Sequence, residues 1–253
     1  MRPFSFAIIY YLKMQLYWIK LPCVTAQYFK SGEKHFHLDY TIYKNQNDNY
    51  FLAVGKEHSS KEQKKWEESD PKDLLEWLKN PMNLDVKEVE QYKRVIKYLK
   101  RWRDFKFPEI ERKKVYSIGI AVMVGQSFSK SISYDGDVSD IDCLIKTIDK
   151  MLSTYFTLIA SDSQGNPQYK IKVDLPRQPY RDIFTKHGKT VGTIIHKRLD
   201  DLKNKLEVVV AKSSLKEQCE ILANDVFGSD FPITENDNKK FKEPGYVSSP
   251  QGA

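Results

Sequence analysis

From His35 to Tyr43 the chain alternates without a break: Phe36, Leu38, Tyr40 and Ile42 fall on one parity, and His37, Asp39, Thr41 and Tyr43 on the other. An extended strand with one buried face accounts for this pattern, because successive side chains of a strand point to opposite sides of the sheet. The apolar parity is therefore expected to face a core and Asp39 to point outward. Aspartate is uncommon in mid-strand, since its short side chain competes for backbone hydrogen bonds. Two readings stand for Asp39: a solvated strand face, or a carboxylate that holds a metal or moves a proton.

Upstream, Pro22 to Phe29 is a second β-rich run, and the turn Lys30-Ser31-Gly32-Glu33-Lys34 joins the two as a hairpin. Downstream, helical signals take over. Ser69 or Asp70 caps a helix whose first turn admits Pro71. Asp85 caps a longer one, in which Val86, Val89, Tyr92, Ile96, Leu99 and Trp102 recur at the spacing of one buried stripe reaching about Phe105. The other faces of that helix carry Lys93, Arg94, Lys97, Lys100, Arg101 and Arg103, either a solvated face or a nucleic-acid surface. Val115 to Phe128 is apolar almost all round and predicts a buried central helix. Further helices are expected at Ile141 to Tyr155, Thr190 to Ala211 and Ser214 to Phe227. Between them Tyr169 to Asp174 alternates as a strand and ends at Leu175-Pro176. From Thr234 onward polar and turn residues accumulate without periodicity, and a disordered tail is expected.

Composition narrows the classes. A chain of 253 residues, 40% hydrophobic, can bury a sizeable core in one or two domains. Its 3 cysteines, Cys23, Cys143 and Cys219, are scattered, with no Cys-x-x-Cys or Cys/His cluster. That argues for reduced thiols in a cytoplasmic setting and against a zinc site. The net charge of +7 favours anionic partners such as nucleotides or RNA without requiring them. The apolar run Phe4 to Leu12 has nine residues, and no small-residue cleavage site follows it. It is too short to span a membrane, which takes about 20 residues, so no membrane partner is expected.

Two tempting motifs fail on spacing. Asp135-Gly136-Asp137 with Asp140 and Asp142 suggests a calcium loop, but the twelfth position of an EF-hand counted from Asp135 is Lys146. These acids are better read as a turn and as the acidic start of the next helix, opposing the positive end of its dipole. Gly228-Ser229 is not followed by a strand bearing Asp-x-Asp.

The order of motifs is more specific than any one of them: Pro22-Cys23-Val24-Thr25-Ala26-Gln27-Tyr28, His37-Leu38-Asp39-Tyr40-Thr41-Ile42-Tyr43, Trp66 with Ser69-Asp70-Pro71-Lys72, and Tyr98-Leu99-Lys100-Arg101-Trp102-Arg103-Asp104. Leu175-Pro176 with Pro179, Asp182-Ile183-Phe184, and Phe227-Gly228-Ser229-Asp230-Phe231-Pro232 follow. From roughly Pro22 to Ile233 this set resembles the bacterial cGAS/DncV-like nucleotidyltransferases, the cyclic-oligonucleotide synthases of CBASS antiviral defence. The resemblance implies an α+β fold, with a nucleotidyltransferase palm represented by the hairpin Val24 to Tyr43 and packed on a mainly helical C-terminal lobe. It implies three segments: residues 1–65 as a palm remnant with an atypical start, 66–233 as the helical lobe, and 234–253 as the tail.

Family members carry a Gly-Ser turn and an Asp-x-Asp strand whose two aspartates, with a third on the next strand, bind two Mg²⁺. Asp39 matches the third. The 38 residues before it contain neither a Gly-Ser pair nor an aspartate. By the same resemblance Lys100 reaches the nucleotide phosphates, Ser117 contacts nucleotide, and Asp182 is a base or a ribose contact. The usual Pro-Ser at that helix start is here Tyr116-Ser117, so a plain helix-start serine is an equal reading. The implied cofactor is Mg²⁺ or Mn²⁺. The implied partners are ATP, GTP or another nucleoside triphosphate, with RNA or a second protein chain as further candidates. Three readings follow: a cyclic-nucleotide synthase, an inactive remnant or regulatory fragment that keeps nucleotide affinity, and a basic nucleic-acid-binding module.

Overall fold

Asp85 starts the element around which the helices assemble. Its side chain accepts the Glu88 amide at 2.9 Å while the Glu88 carboxylate accepts the Asp85 amide at 3.1 Å, a reciprocal cap that fixes where α2 (Val86–Lys106) begins. The computed structural model describes residues 13–17, 23–30, 32–55 and 60–233. The expected disordered tail, and most of the atypical start at residues 1–20, lie outside the described residues. The chain divides into two compact units, residues 1–75 with 175–181, and residues 76–174 with 182–253.

The first unit is built of antiparallel β-structure. One sheet runs β1 (Lys13–Tyr17), β2 (Cys23–Lys30), β3 (Glu33–Thr41), and β2–β3 is the expected hairpin. Gly32 makes its turn with φ of +85°, a conformation that costs a side-chain-bearing residue dearly. A second sheet, β4 (Tyr43–Gln46), β5 (Asn49–Val54) and β6 (Lys65–Glu68), was not foreseen. Asn47 and Asp48, at φ of +52° and +62°, form the two-residue turn that joins β4 to β5. The expectation that Phe36, Leu38 and Tyr40 face a core is corrected: they are 42%, 44% and 56% exposed. Alternation fixes which residues share a face, but whether a face is covered depends on what other chain is present to lie on it.

Helices dominate the second unit, giving the mixed α+β fold expected. α1 (Pro71–Lys79), which starts in the first unit, is capped by Asp70 rather than Ser69: the Asp70 carboxylate accepts the Asp73 amide at 2.9 Å. α2 is followed by the single turn α3 (Glu109–Arg112), the buried α4 (Ser117–Ser127) and α5 (Asp140–Tyr155), which Ser139 caps. A hairpin of β7 (Phe156–Ser161) and β8 (Pro167–Ile171) precedes α6 (Gly188–Val210) and α7 (Leu215–Ile221), and a π-helical turn, Leu222–Phe227, closes the series. β7 begins where the helix expected over Ile141 to Tyr155 ends, and its segment had no reading as a strand in the sequence.

The buried side of α2 is shifted from the expected stripe. Tyr92, Val95, Leu99 and Trp102 are buried, together with Glu88 and Gln91, whereas Val86 is 77% exposed at the helix start. Opposite them α4 buries Ile120 through Val124, α5 buries Ile148 and Met151, and α6 buries Leu199 and Leu206. Burial of this kind contributes roughly 1.5–3 kcal/mol for each large apolar side chain.

α6 approaches β8 closely because Gly192 has no side chain: a Cβ there would lie 2.2 Å from the Tyr169 carbonyl oxygen and 2.8 Å from the Ile171 nitrogen. Both neighbours are backbone and have little room to yield. We therefore expect Gly192→Ala to cost about 2–3 kcal/mol of stability through overpacking, read as a lower denaturation midpoint with an unchanged slope. An unaltered midpoint would contradict the close approach.

Candidate functional site

Asp39 lies near the end of β3 and is exposed, as expected. In the register of the sheet it stands opposite Thr25 on β2, and Thr25 stands opposite Tyr17 on β1. Neither of those positions, nor Val24 and Ala26 beside Thr25, supplies a carboxylate. No acidic residue precedes Glu33 in the sequence. Among the described residues no group of three or more His, Cys, Asp or Glu side chains could hold a metal ion. A Mg²⁺ centre relies on one or two carboxylates plus substrate phosphates, and a two-metal centre on several. The donor set around Asp39 does not fit a two-metal centre.

Lys100, Ser117 and Asp182 belong to the second unit, apart from Asp39. Ser117 opens α4 and is exposed. Its oxygen accepts from Arg103 Nη1 at 2.6 Å, and the same nitrogen donates to the Val115 carbonyl at 3.1 Å. Arg103 is itself held by Asp104, which accepts from Nε at 2.9 Å and from Nη2 at 2.6 Å. The Arg103 side chain, only 12% exposed, thus ties the last turn of α2 to the start of α4. Lys100 lies one turn before Arg103 on α2. Partial burial and then the neighbouring Arg103 charge lower its pKa, partly offset by Asp104.

The start of α4 keeps its anion-attracting character. Its first intrahelical bond runs from the Ile120 amide to the Tyr116 carbonyl at 3.2 Å, so the amides of Ser117, Ile118 and Gly119 precede the ladder. The Tyr116 side chain makes no capping bond, and the first turn contains no acidic residue. Beside it lies a cavity of about 340 Å³, lined by Arg103, Arg112, Lys113, Tyr116 and Ser117, with Asp104 and Glu109. Three cations face two carboxylates there, at the positive end of a helix dipole.

Asp182 is placed against the same helix. Phe184 approaches Gly119 so closely that a Cβ at Gly119 would lie 2.8 Å from its ring, and the Tyr116 and Phe184 ring centroids are 5.9 Å apart. Asp182 Oδ1 accepts two backbone amides, Val173 and Phe184, each at 3.0 Å. That oxygen therefore organises a turn. Arg103, which the sequence had offered only as part of a basic face, holds Ser117 and is held by Asp104; its one advance signal was the adjacent Arg103-Asp104 pair.

The basic face is partly engaged in internal contacts. Arg94 binds Asp140 at 2.7 Å, Arg101 donates to the Phe227 carbonyl at 2.7 Å and to Asp230 at 2.8 Å, and Arg103 is engaged as above. Lys93 and Lys97 stay exposed. The Asp135–Asp137 acids form a turn, in which the Asp137 amide donates to Ser133 Oγ at 2.9 Å.

The turn role of Asp182 is separable from proton transfer. We expect Asp182→Ala to destabilise the chain by about 1–3 kcal/mol, because two buried amides lose their acceptor, and Asp182→Asn to stay within about 1 kcal/mol of the parent. Chemical denaturation of the three proteins checks this, and equal losses for both variants would overturn it.

No family model matches the sequence. Among curated proteins, the chain is similar to a cyclic GMP-AMP synthase of Escherichia albertii, 32% identical over 84 residues. The similar stretch is 33% of this chain, and the chain spans 17% of the length of that relative. A partial likeness of this extent supports a cGAS-like relationship at the level of ancestry.

Proposed function

We propose that this chain is a cyclic-nucleotide-synthase-like protein whose helical unit binds a nucleoside triphosphate at the start of α4, and that the chain by itself does not complete nucleotidyl transfer. One observation carries the reading: an uncapped helix start, with Ser117 fixed by Arg103 and with Lys100 one turn away. Amides at a helix N-terminus and fixed cations are what a polyphosphate requires. Ser117 already accepts a hydrogen bond from Arg103, so its own hydroxyl hydrogen remains able to donate to a phosphate oxygen. Tyr116 offers an aromatic edge beside the same cavity. The partial similarity to a cyclic GMP-AMP synthase favours ATP and GTP over other triphosphates.

Turnover needs more than binding. Synthesis of a cyclic dinucleotide displaces pyrophosphate with a ribose hydroxyl, and charge stabilisation of that transfer by converging carboxylates and metals contributes several kcal/mol. Asp39 provides one carboxylate. In this proposal Mg²⁺ or Mn²⁺ arrives as the counter-ion of the triphosphate, and any role in CBASS-type antiviral signalling is that of a nucleotide-sensing or regulatory relative. The nucleic-acid-module reading is less favoured, since three of the eight basic side chains of α2, all its arginines, are engaged in internal contacts.

Equilibrium binding of labelled ATP and GTP to the purified chain tests the proposal. Lys100→Gln and Ser117→Ala are each expected to weaken binding about tenfold, equivalent to about 1.4 kcal/mol, while Asp39→Asn leaves it unchanged. Incubation with ATP, GTP, CTP and UTP plus Mg²⁺ or Mn²⁺, followed by phosphatase treatment and chromatography, should give no resistant product. A resistant product that disappears in Asp39→Ala would overturn the non-catalytic reading, and binding indifferent to Lys100 and Ser117 would overturn the site.

A further inference from the structure

A second cavity, of about 210 Å³, opens where α2 ends, between Trp102 and Lys106 on one side and Arg198, Leu202 and Lys205 of α6 on the other. The α2 positions that line it, 102 and 106, are one turn apart on a helix face different from that of Lys100 and Asp104. Trp102 and Leu202 are buried and make an apolar floor. Three cations point into this space, and they are not equivalent.

Arg198 has a structural assignment. It donates to the Lys106 carbonyl at the C-terminus of α2 and, through Nη2, to Glu111 at 2.9 Å, with its guanidinium 4.5 Å from the centre of the Phe107 ring. It caps the helix and favours the negative end of its dipole. Lys106 and Lys205 are different. Both are half-buried and line the same cavity, so each charge bears on the other. Burial and then Lys205 lower the Lys106 pKa, against a partial pull from Asp225. The carboxylates on the rim, Asp201 and Asp225, are exposed, so solvent screens them more than it screens the lysines. Two half-buried like charges that bear on each other oppose folding unless something anionic comes between them. A phosphate group does so with several acceptor oxygens, and a cavity of this size takes a phosphate with a few attached carbon atoms.

We propose that the cavity bounded by Lys106, Lys205 and Arg198 is a binding site for a small phosphate-bearing ligand, separate from the triphosphate site at α4. Phosphate oxygens accept from Lys106 and Lys205, Arg198 stays on its helix cap and adds its charge, and Asp225 opposes the ligand from the rim. Asp225 lies on the π-helical turn Leu222–Phe227, a local irregularity of a kind that often accompanies functional positions.

The test uses the full chain without nucleotide, comparing thermal unfolding in sodium phosphate with unfolding in sodium chloride of equal ionic strength. Phosphate is expected to raise Tm by about 2–4 °C over chloride, consistent with a ligand held only by the folded state. Lys205→Gln should abolish that gain and, in chloride alone, raise Tm by about 2 °C, because the like-charge repulsion is removed. Asp225→Asn should enlarge the phosphate gain, and Lys100→Gln should leave it intact. A parallel arm with glycerol 3-phosphate separates sources: a larger gain than orthophosphate marks an organic phosphate, an equal gain free phosphate, and either supports the site. No gain over chloride, a gain retained in Lys205→Gln, or a lower Tm of Lys205→Gln in chloride would overturn it. Loss of ATP binding in the earlier experiment with the phosphate gain intact would sink the α4 site alone.

Discussion

The side-chain amide of Gln91 is the contact on which the helical unit depends. It is fully buried, and its oxygen accepts the Ser131 amide at 3.0 Å while its nitrogen donates to the carbonyls of Ser131 at 3.2 Å and Ser139 at 3.1 Å. One turn further along α2, Arg94 holds Asp140 at 2.7 Å, and the Tyr98 hydroxyl donates to the same carboxylate at 3.3 Å. α5 is thereby registered on α2, and the loop between α4 and α5 is held at both ends. A buried polar group with all partners in place specifies one arrangement, because any slip strands an amide in a low-dielectric interior. Burial raises the Tyr98 pKa to about 12, so the phenol keeps its proton and its role as donor at ordinary pH.

Along α2, three arginines serve three structural tasks. Arg94 pins α5, Arg101 ties down the turn after the π-helical segment, and Arg103 reaches the start of α4. The residues that had looked like one basic surface are therefore spokes of one hub. The lysines partly withdrawn from solvent are Lys100, whose pKa is lowered by burial and by Arg103, and Lys106 with Lys205, which line the cavity at the end of α2. A charge held where solvent screens it less is costly, and an anion placed beside it would relieve that cost.

The two units contrast in the donors that each supplies by itself. The helical part supplies fixed donors: a guanidinium, a serine hydroxyl and three helix-start amides. The sheet part supplies Asp39 and no neighbouring carboxylate in register. Phosphate recognition needs only donors and positive charge, whereas phosphoryl-type transfer also needs acids that gather metal ions at the reacting oxygens. Under the proposed function, the donors that binding requires are supplied more fully than the acids that transfer requires.

The sequence by itself determined the local elements. The period-two run at His35–Tyr43, the Asp85 cap, the almost wholly apolar segment Val115 to Phe128 and the helices expected from Ile141 and from Ser214 all depend on neighbours a few positions apart, and those are legible. The β4–β6 sheet escaped because its strands are short and partly polar, although the Asn47-Asp48 turn was a usable signal. The stripe of α2 was misplaced by one residue at Val95 because burial of Gln91 and Val95 is set by what α5 presents, not by hydrophobicity alone. Tertiary structure alone decided which charges matter. Arg103 meets Ser117, Lys106 comes to line one cavity with Lys205, and Asp182 Oδ1 meets two amides only after distant segments have packed. Charge type is written in the residue, but the dielectric around it and the partner opposite it are properties of the folded arrangement.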